Sequence, residues 1–314
     1  MIVLIARDGA QAIMRLLAQA GWLLLLLVPL HALPLLLDVM GWRALIAGRS
    51  RVSMLFLIAT IREAINRLLP VANVGGDIVG IRLLAQQGTE GTWAAASVIV
   101  ELMISLIAQF IFVAVGVMCL LQLMQSIRGW GWLLLGLAAS VPLLALFAAL
   151  LRNGSIFSRF ERLAERLLGN GTQGAGVFRR GAQLDAAIRE LFARHGCLAR
   201  ALGWQLAGVV LGCAETWLAL RWLGHPVGFA AALAIESLTQ AARHFIFIVP
   251  AGLGVQEAGL IALGRALGFD SDVAIALSLA KRMREVLFGL PALAAWQWLE
   301  GRSGLMGVRD GRGS

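Results

Sequence analysis

Four stretches of this chain are apolar over the length that crosses a bilayer. They are residues 21–40, 92–123, 130–151 and 201–223, and a membrane-spanning helix needs about 20 such residues. Hydrophobic residues make up 59% of the chain and charged residues only 14%, against about 25% charged in a soluble domain. The sequence therefore predicts an all-α polytopic membrane protein and excludes a disordered, collagen-like or disulfide-scaffold chain.

The position of the charges predicts topology. The formal net charge is +9, and Lys281 is the only Lys in the chain. The stretch 152–200 holds nine Arg against four acidic residues, and an excess of positive charge is typical of cytoplasmic loops. We expect two amphipathic helices there, either lying on anionic lipid or serving as a solvated connector. Because no basic face with stacking aromatics is evident outside the apolar stretches, we expect no nucleic-acid partner.

These patterns divide the chain into five parts. They are an amphipathic N-terminal helix at 1–20, a first membrane repeat with a linking span at 21–151, a basic cytoplasmic loop at 152–200, a second membrane repeat at 201–300 and a cytoplasmic tail at 301–314. The three cysteines and the four histidines have neither disulfide-framework nor metal-ligand spacing. We therefore expect no metal and no cofactor.

Two polar-studded apolar segments are each interrupted by a proline and glycine cluster, which cannot continue a helix. Broken backbone at membrane depth is tolerated only where protein or water surrounds it. We therefore expect each segment to form a broken re-entrant helical hairpin. The predicted structural hinges are Pro70, Gly75, Gly76, Pro250, Gly252 and Gly254.

The two interrupted segments resemble each other in register. Pro70 and Pro250 are 180 residues apart, as are Asp77 and Glu257. Each interrupted segment precedes a long apolar stretch that contains charge. The distribution of Arg places the two segments in opposite orientations, so we expect two inverted repeats. Paired interrupted segments in corresponding positions predict a substrate site near the bilayer midplane.

Charged and amide side chains inside these segments are the candidate substrate-binding residues, because a charge at membrane depth costs at least about 2.5–3.5 kcal/mol unless it is paired or faces a cavity. The candidates are Arg62, Asn66, Arg67, Asn73, Asp77, Glu101, Glu236, Gln240, Arg243, Gln256, Glu257, Arg282, Arg284 and Glu285. The alternative is that pairs such as Glu63 and Arg67, spaced i,i+4, only neutralise each other and lock the bundle.

The second half carries more basic than acidic groups in its interrupted segment and last span. Arg243, Lys281, Arg282 and Arg284 outnumber Glu236, Glu257 and Glu285 there. An unbalanced positive site inside a membrane favours an anionic ligand, and Arg forks match phosphate. Asp77 and Glu257 either cap helices or line a path. The lone His31 and His244 are expected to be hydrogen-bonded rather than to be metal ligands.

The sequence resembles the lysylphosphatidylglycerol-synthase transmembrane, flippase-like family. The resemblance rests on Asn66-Arg-Leu-Leu-Pro70 with its Gly-acid continuation and Arg82, on Ser97-Val-Ile-Val-Glu101, on Pro250-Ala-Gly-Leu-Gly-Val-Gln-Glu257-Ala-Gly259, and on the Arg-containing last span. It covers roughly residues 20–300 and looks closest to the subfamily encoded with hopanoid biosynthesis genes. Where the family pattern has Glu-Arg followed by an Asp, this chain has Glu101-Leu102 and Ser105.

The resemblance implies a multi-pass protein of the bacterial inner membrane that moves a lipid between leaflets and is not itself an enzyme. The expected substrate is an amphipathic phospholipid, aminoacyl-lipid or hopanoid-type lipid, and lipid-biosynthesis enzymes are the expected further partners. Two alternatives stay open at this point. The chain is either an intramembrane enzyme that modifies a lipid, or a scaffold for lipid-synthesis enzymes that transports nothing.

Overall fold

The computed structural model describes residues 10–46, 50–69, 75–123, 142, 149, 174–245 and 255–310, and no strand occurs among them. The first half contains α1 (Ala10–Ala20), a 3-10 helix (Gly21–Leu26), α2 (Leu27–Leu45), α3 (Val52–Leu68), α4 (Gly75–Gln86) and α5 (Gly91–Leu123). The second half contains α6 (Gly174–Ala193), α7 (His195–Trp222), α8 (Phe229–Phe245), α9 (Val255–Leu267) and α10 (Ser271–Asp310). The prediction of an all-helical chain is confirmed for the described residues.

Among the residues that the structure describes, three helical segments are long and apolar enough to cross a membrane. They are Gln11–Leu45, Gly91–Leu123 and His195–Trp222, and they contain most or all of the predicted spans at 21–40, 92–123 and 201–223. The predicted span at 130–151 lies outside the described residues except at two isolated positions. The last span, predicted over 272–299, lies within α10. Charged residues at 281–285 interrupt its apolar sequence.

Several helix boundaries differ from the predicted divisions of the chain. The N-terminal helix and the first span are joined, because the 3-10 helix continues directly from α1 into α2. Gly21 begins this junction with a φ of +53°, a backbone conformation that costs glycine little. Residues 195–200 belong to α7 rather than to the basic loop, and α10 continues to Asp310 through most of the predicted tail.

The helix α10 packs against both halves of the chain. Its N-terminal part, including Leu277, shares a buried cluster with α1, α2 and α7. Ala292, further along, shares a second cluster with α2, α3, α4 and α5. Between these two apolar regions lies the charged stretch 281–285, so the packing of α10 places that stretch in the interior of the bundle.

Small residues bring α2 and α7 together. A Cβ on Gly41 would lie 3.2 Å from the carbonyl oxygen of Ala201, and a Cβ on Gly208 would lie 2.6 Å from a carboxylate oxygen of Asp38. Small residues allow such close approach between membrane helices. The close packing of α2 on α7 brings two polar side chains of these spans, His31 and Glu215, within hydrogen-bonding distance.

Candidate functional site

Ionisable side chains meet in the interior of the bundle in four groups, which we name by their central residues. The Arg62 group is Arg62, Asp77 and Glu101. The His31 group is His31, Glu63, Glu215 and Arg284. The Glu236 group is Glu236 and Lys281 with the polar Thr216 and Gln240, and the Glu285 group is Glu285, Arg243, Arg282 and Glu257 with the polar Gln256. All four draw on helices that the sequence predicts to lie in the membrane.

The Arg62 group joins three helices of the first half. From α3, Arg62 donates to Asp77 in α4 through Nη2 at 2.7 Å and Nε at 3.1 Å, and to Glu101 in α5 through Nη1 at 2.7 Å. The guanidinium carbon lies 4.9 Å from the centroid of the Trp42 ring in α2. One buried cation is therefore shared by two carboxylates and one aromatic face.

Two glycines in the first half of α4 leave space for the Arg62 group. The backbone N–H of Gly76 donates to Oδ1 of Asn66 at 2.8 Å. A Cβ on Gly76 would lie 2.2 Å from the carbonyl oxygen of Arg62, and a Cβ on Gly80 would lie 2.4 Å from the Arg62 side chain. The two glycines thus permit α4 to pack directly on α3, which positions Asp77 for Arg62.

The His31 group connects the two halves. Nε2 of His31 lies 3.0 Å from both carboxylate oxygens of Glu63 in α3, and Nδ1 lies 2.9 Å from Oε1 of Glu215 in α7. Arg284 of α10 approaches the same Nδ1 at 2.8 Å and also bonds Glu215. The expectation that His31 is hydrogen-bonded is confirmed, and the partners are acidic groups from two distant parts of the chain.

The Glu236 group lies within the second half. The carboxylate of Glu236 in α8 binds Lys281 of α10 and the hydroxyl of Thr216 in α7, and it accepts from the amide of Gln240 at 2.9 Å. The sequence alone suggests that Lys281 belongs with the second-half arginines in one positive cluster. The structure instead gives Lys281 a carboxylate partner of its own.

Arginines gather around Glu285, whose side chain is 3% exposed. Arg243 of α8 lies 3.2 Å from its carboxylate, and Arg282 lies 3.3 Å from it. Arg284 at 3.9 Å and Arg67 of α3 also interact with this carboxylate. Three guanidinium groups of the second half therefore contact a single buried acid, and Arg67 of the first half acts on the same carboxylate electrostatically.

The first turn of α9 faces the Glu285 group. Gln256 accepts from Arg243 through Oε1 at 2.8 Å. Glu257 accepts from the hydroxyl of Ser278 at 3.1 Å, and one of its oxygens lies 3.7 Å from Nε of Arg282. The first turns of α4 and α9 thus correspond, because each binds an arginine of the helix that precedes it.

The structure brings together most of the predicted substrate-binding residues. Those that belong to the four groups or contact them are Arg62, Asn66, Arg67, Asp77, Glu101, Glu236, Gln240, Arg243, Gln256, Glu257, Arg282, Arg284 and Glu285. Of the predicted hinges, Gly75 is the first residue of α4 and Gly76 is the second. The remaining predicted residues, Asn73, Pro70, Pro250, Gly252 and Gly254, lie outside the described part of the chain.

Four interior residues are not among the substrate-binding candidates: His31, Glu63, Glu215 and Lys281. The sequence places Lys281 in the positive cluster and Glu63 in a pair with Arg67. The predicted i,i+4 pair of Glu63 with Arg67 exists at 3.9 Å, but Glu63 lies closer to His31. A polar residue inside an apolar span is a functional hypothesis by default. That signal alone would have added His31 and Glu215 to the candidates.

An apolar groove of about 510 Å³ lies between the N-terminal helices and α10. It is lined by Leu17, Gly21, Trp22, Leu24, Leu25, Leu279, Ala280 and Met283. Of its α10 residues, Leu279 and Ala280 directly precede the charged stretch 281–285 and Met283 lies within it. The same helix therefore presents an apolar groove on one face and interior charge on the neighbouring faces. Within the described part of the chain, no three metal-ligating side chains converge.

Membrane-length apolar helices around an ionisable interior define a multi-pass membrane protein. The chain belongs to the lysylphosphatidylglycerol synthase TM region family, whose profile matches residues 1–292. This membership confirms the family that the sequence resembles and gives the protein a lipid-related function in a membrane. No curated protein and no solved structure matches the chain significantly. The assignment to the hopanoid subfamily stays a prediction.

Proposed function

We propose that this protein moves an amphipathic lipid between the leaflets of the bacterial inner membrane. The head group of the lipid passes through the charged interior, while the lipid tail stays in the apolar phase. The observation that carries the proposal is the set of three arginines in contact with Glu285. Guanidinium forks match phosphate oxygens geometrically, and a phosphate head group can replace the carboxylate as their partner. Phospholipids, aminoacyl-lipids and hopanoid-type lipids with an anionic group are the substrate classes that fit.

The groove beside α10 supports an amphipathic rather than a purely polar substrate. Leu279, Ala280 and Met283 line it, while Arg282 and Arg284 of the same helix belong to the interior groups. An apolar chain in the groove would leave a head group within reach of the adjacent arginines. Apolar lining with a few convergent polar groups is typical of ligand sites.

The architecture we propose has two inverted repeats, each with a re-entrant hairpin. Helices α3 and α4 form one hairpin and α8 and α9 the other. Two correspondences support it: each pair packs together, and in each pair the first turn of the second helix binds an arginine of the first helix, Asp77 with Arg62 and Gln256 with Arg243. Arg243 of the second hairpin contacts Glu285, and Arg67 of the first hairpin acts on it electrostatically. Relative movement of the hairpins would therefore open the site to alternate leaflets.

Reconstitution tests the proposed function. Purified protein is placed in liposomes with a fluorescent phosphatidylglycerol or phosphatidylethanolamine, and a membrane-impermeant reductant bleaches the outer leaflet. We expect faster bleaching of the inner pool than in protein-free liposomes. Arg67→Gln and Arg243→Gln should each slow it about tenfold, because a charge-assisted hydrogen bond contributes about 1.5–3 kcal/mol.

The matched control is Arg194→Gln, which removes an exposed arginine paired with Glu190 at the junction of α6 and α7. This variant should retain wild-type rates. Bleaching no faster than in protein-free liposomes would refute lipid movement. Equal slowing by all three variants would refute the assignment to the Glu285 group. Mass spectrometry of the recovered lipid separates transport from the enzymatic alternative, since a new lipid species would indicate modification.

A further inference from the structure

His31 lies where four helices meet, and both of its ring nitrogens face carboxylates. Nε2 lies 3.0 Å from Glu63 and Nδ1 lies 2.9 Å from Glu215. Nη1 of Arg284 lies 2.8 Å from the same Nδ1. The imidazole side chain is 14% exposed, so the neighbouring protein groups supply its hydrogen bonds. The position is therefore specified by partners from α3, α7 and α10 at once.

The hydrogen-bonding capacity of these groups does not allow all three contacts in one state. An arginine only donates, so Nδ1 must carry a lone pair to accept from Arg284. A carboxylate only accepts, so Nδ1 must carry a proton to donate to Glu215. The contacts thus describe two arrangements. In one, a neutral His31 donates from Nε2 to Glu63 and accepts from Arg284. In the other, an imidazolium donates to both Glu63 and Glu215.

The two arrangements differ by one proton on Nδ1 and by whether Nη1 of Arg284 also donates to Nδ1. We propose that His31 is a proton-binding site whose occupancy is coupled to lipid movement, an inference that rests on the proposed function. A hydronium ion from the aqueous phase gives up one O–H bond and leaves a water molecule, and its proton binds the lone pair of Nδ1 to form one N–H bond. No heavy-atom bond changes, and Arg284 keeps Glu215 as its partner in both states.

Charged groups face His31 from every helix packed against it. Those that act on His31 itself are Asp38 on α2, Glu63 on α3, Glu215 on α7 and Arg284 on α10. Those that act on these partners are Arg62 and Arg67 on α3 and Glu285 on α10. The exposed fraction of the side chain falls from 37% at Arg67 to 21% at Glu63, 14% at His31 and 6% at Glu215. In this proposal the proton therefore enters from the Glu63 side, where the partners of His31 are least buried.

Protonation changes the electrostatics of the Glu285 group. It adds one positive charge beside Arg284, which also interacts with Glu285. An anionic head group is therefore held more strongly when His31 is protonated. Proton and lipid move in the same direction in this scheme. With one proton per lipid, a gradient of about one pH unit shifts the leaflet distribution of the lipid by up to about tenfold.

Proton binding is measured without reference to transport. The chain has four histidines, so ¹⁵N-histidine labelling of the full-length protein in detergent gives few side-chain signals, and His31→Gln assigns one set. We expect the His31 nitrogens to change from the imidazolium to the neutral pattern between about pH 5 and pH 10. A His31 that keeps one charge state over this range overturns the inference. His225→Gln is the control and should remove a different set.

Coupling is measured in the lipid-bleaching assay with an imposed pH gradient. We expect the gradient to shift the leaflet distribution for the wild type and for His225→Gln, and His31→Gln to respond less than twofold. Lipid movement that is equal with and without the gradient in the wild type overturns coupling but leaves the proposed function intact. An absence of lipid movement under all conditions refutes the proposed function instead, and the coupling inference falls with it.

Discussion

Replacement of Arg62 by methionine removes the cation that holds α3, α4 and α5 together. Arg62 makes three hydrogen bonds to two carboxylates, Asp77 and Glu101, whose side chains are each 12% exposed. Removal of one partner of a buried ion pair costs about 3–5 kcal/mol, because the remaining charge is left uncompensated. We expect Arg62→Met to lower the free energy of unfolding by about this amount.

The assay is thermal unfolding of the purified protein in detergent. At about 2–4 °C per kcal/mol for a domain of moderate size, the midpoint should fall by roughly 6–20 °C. The triple variant Arg62→Met, Asp77→Asn, Glu101→Gln carries no charge at these positions. It should recover most of the loss, since neutral replacement of a whole buried ion group is often tolerated.

The matched control is again Arg194→Gln. Its exposed pair with Glu190 should contribute less than about 1 kcal/mol. An Arg62→Met protein as stable as this control would refute the assignment of Arg62 as a structural hub. A triple variant no more stable than Arg62→Met would show that uncompensated carboxylates are not the physical cause of the loss.

Further variants test other contacts by the same unfolding assay. Gly76→Ala should lower the free energy of unfolding by about 1–3 kcal/mol, because its Cβ would lie 2.2 Å from a backbone carbonyl of α3. Its control is Gly203→Ala, whose Cβ would meet nothing within 4 Å and which should be neutral or stabilising. Trp42→Phe should cost about 1 kcal/mol through loss of the indole donor, and an unchanged midpoint would contradict this. Glu236→Gln should cost about 3–5 kcal/mol by leaving Lys281 unpaired, and combining it with Lys281→Met should restore part of the loss.

Helix positions followed from the sequence where apolar length or a strong break defined them. The predicted span at 92–123 is observed as Gly91–Leu123, and after the second proline and glycine cluster the chain resumes as the helix Val255–Leu267. The length of an apolar stretch and the position of a proline and glycine cluster are local properties of the chain. The junction of α1 with α2 was missed, because the polar N-terminal residues suggested a separate helix although no breaking cluster precedes Gly21.

The sequence indicated many of the charged residues of the site, but it indicated neither His31 and Glu215 as members nor most of the pairings. Spacing on one helix correctly joined Glu63 with Arg67, since i,i+4 residues share a face. His31 and Glu215 are 184 residues apart, and only the packing of α2 on α7 brings them together. The sequence therefore identified charges that cost free energy in a membrane, whereas tertiary packing decided which ones compensate each other.

Photochemical cross-linking tests most directly whether a lipid head group enters the charged interior. A phosphatidylglycerol with a photoreactive group on its head group is irradiated in liposomes that contain the protein, and labelled peptides are identified by mass spectrometry. We predict labelling in the 281–285 stretch of α10 and at Arg243, which Arg67→Gln reduces and Arg194→Gln does not. Labelling confined to the helix ends, where head groups of bulk lipid lie, would contradict the proposed function.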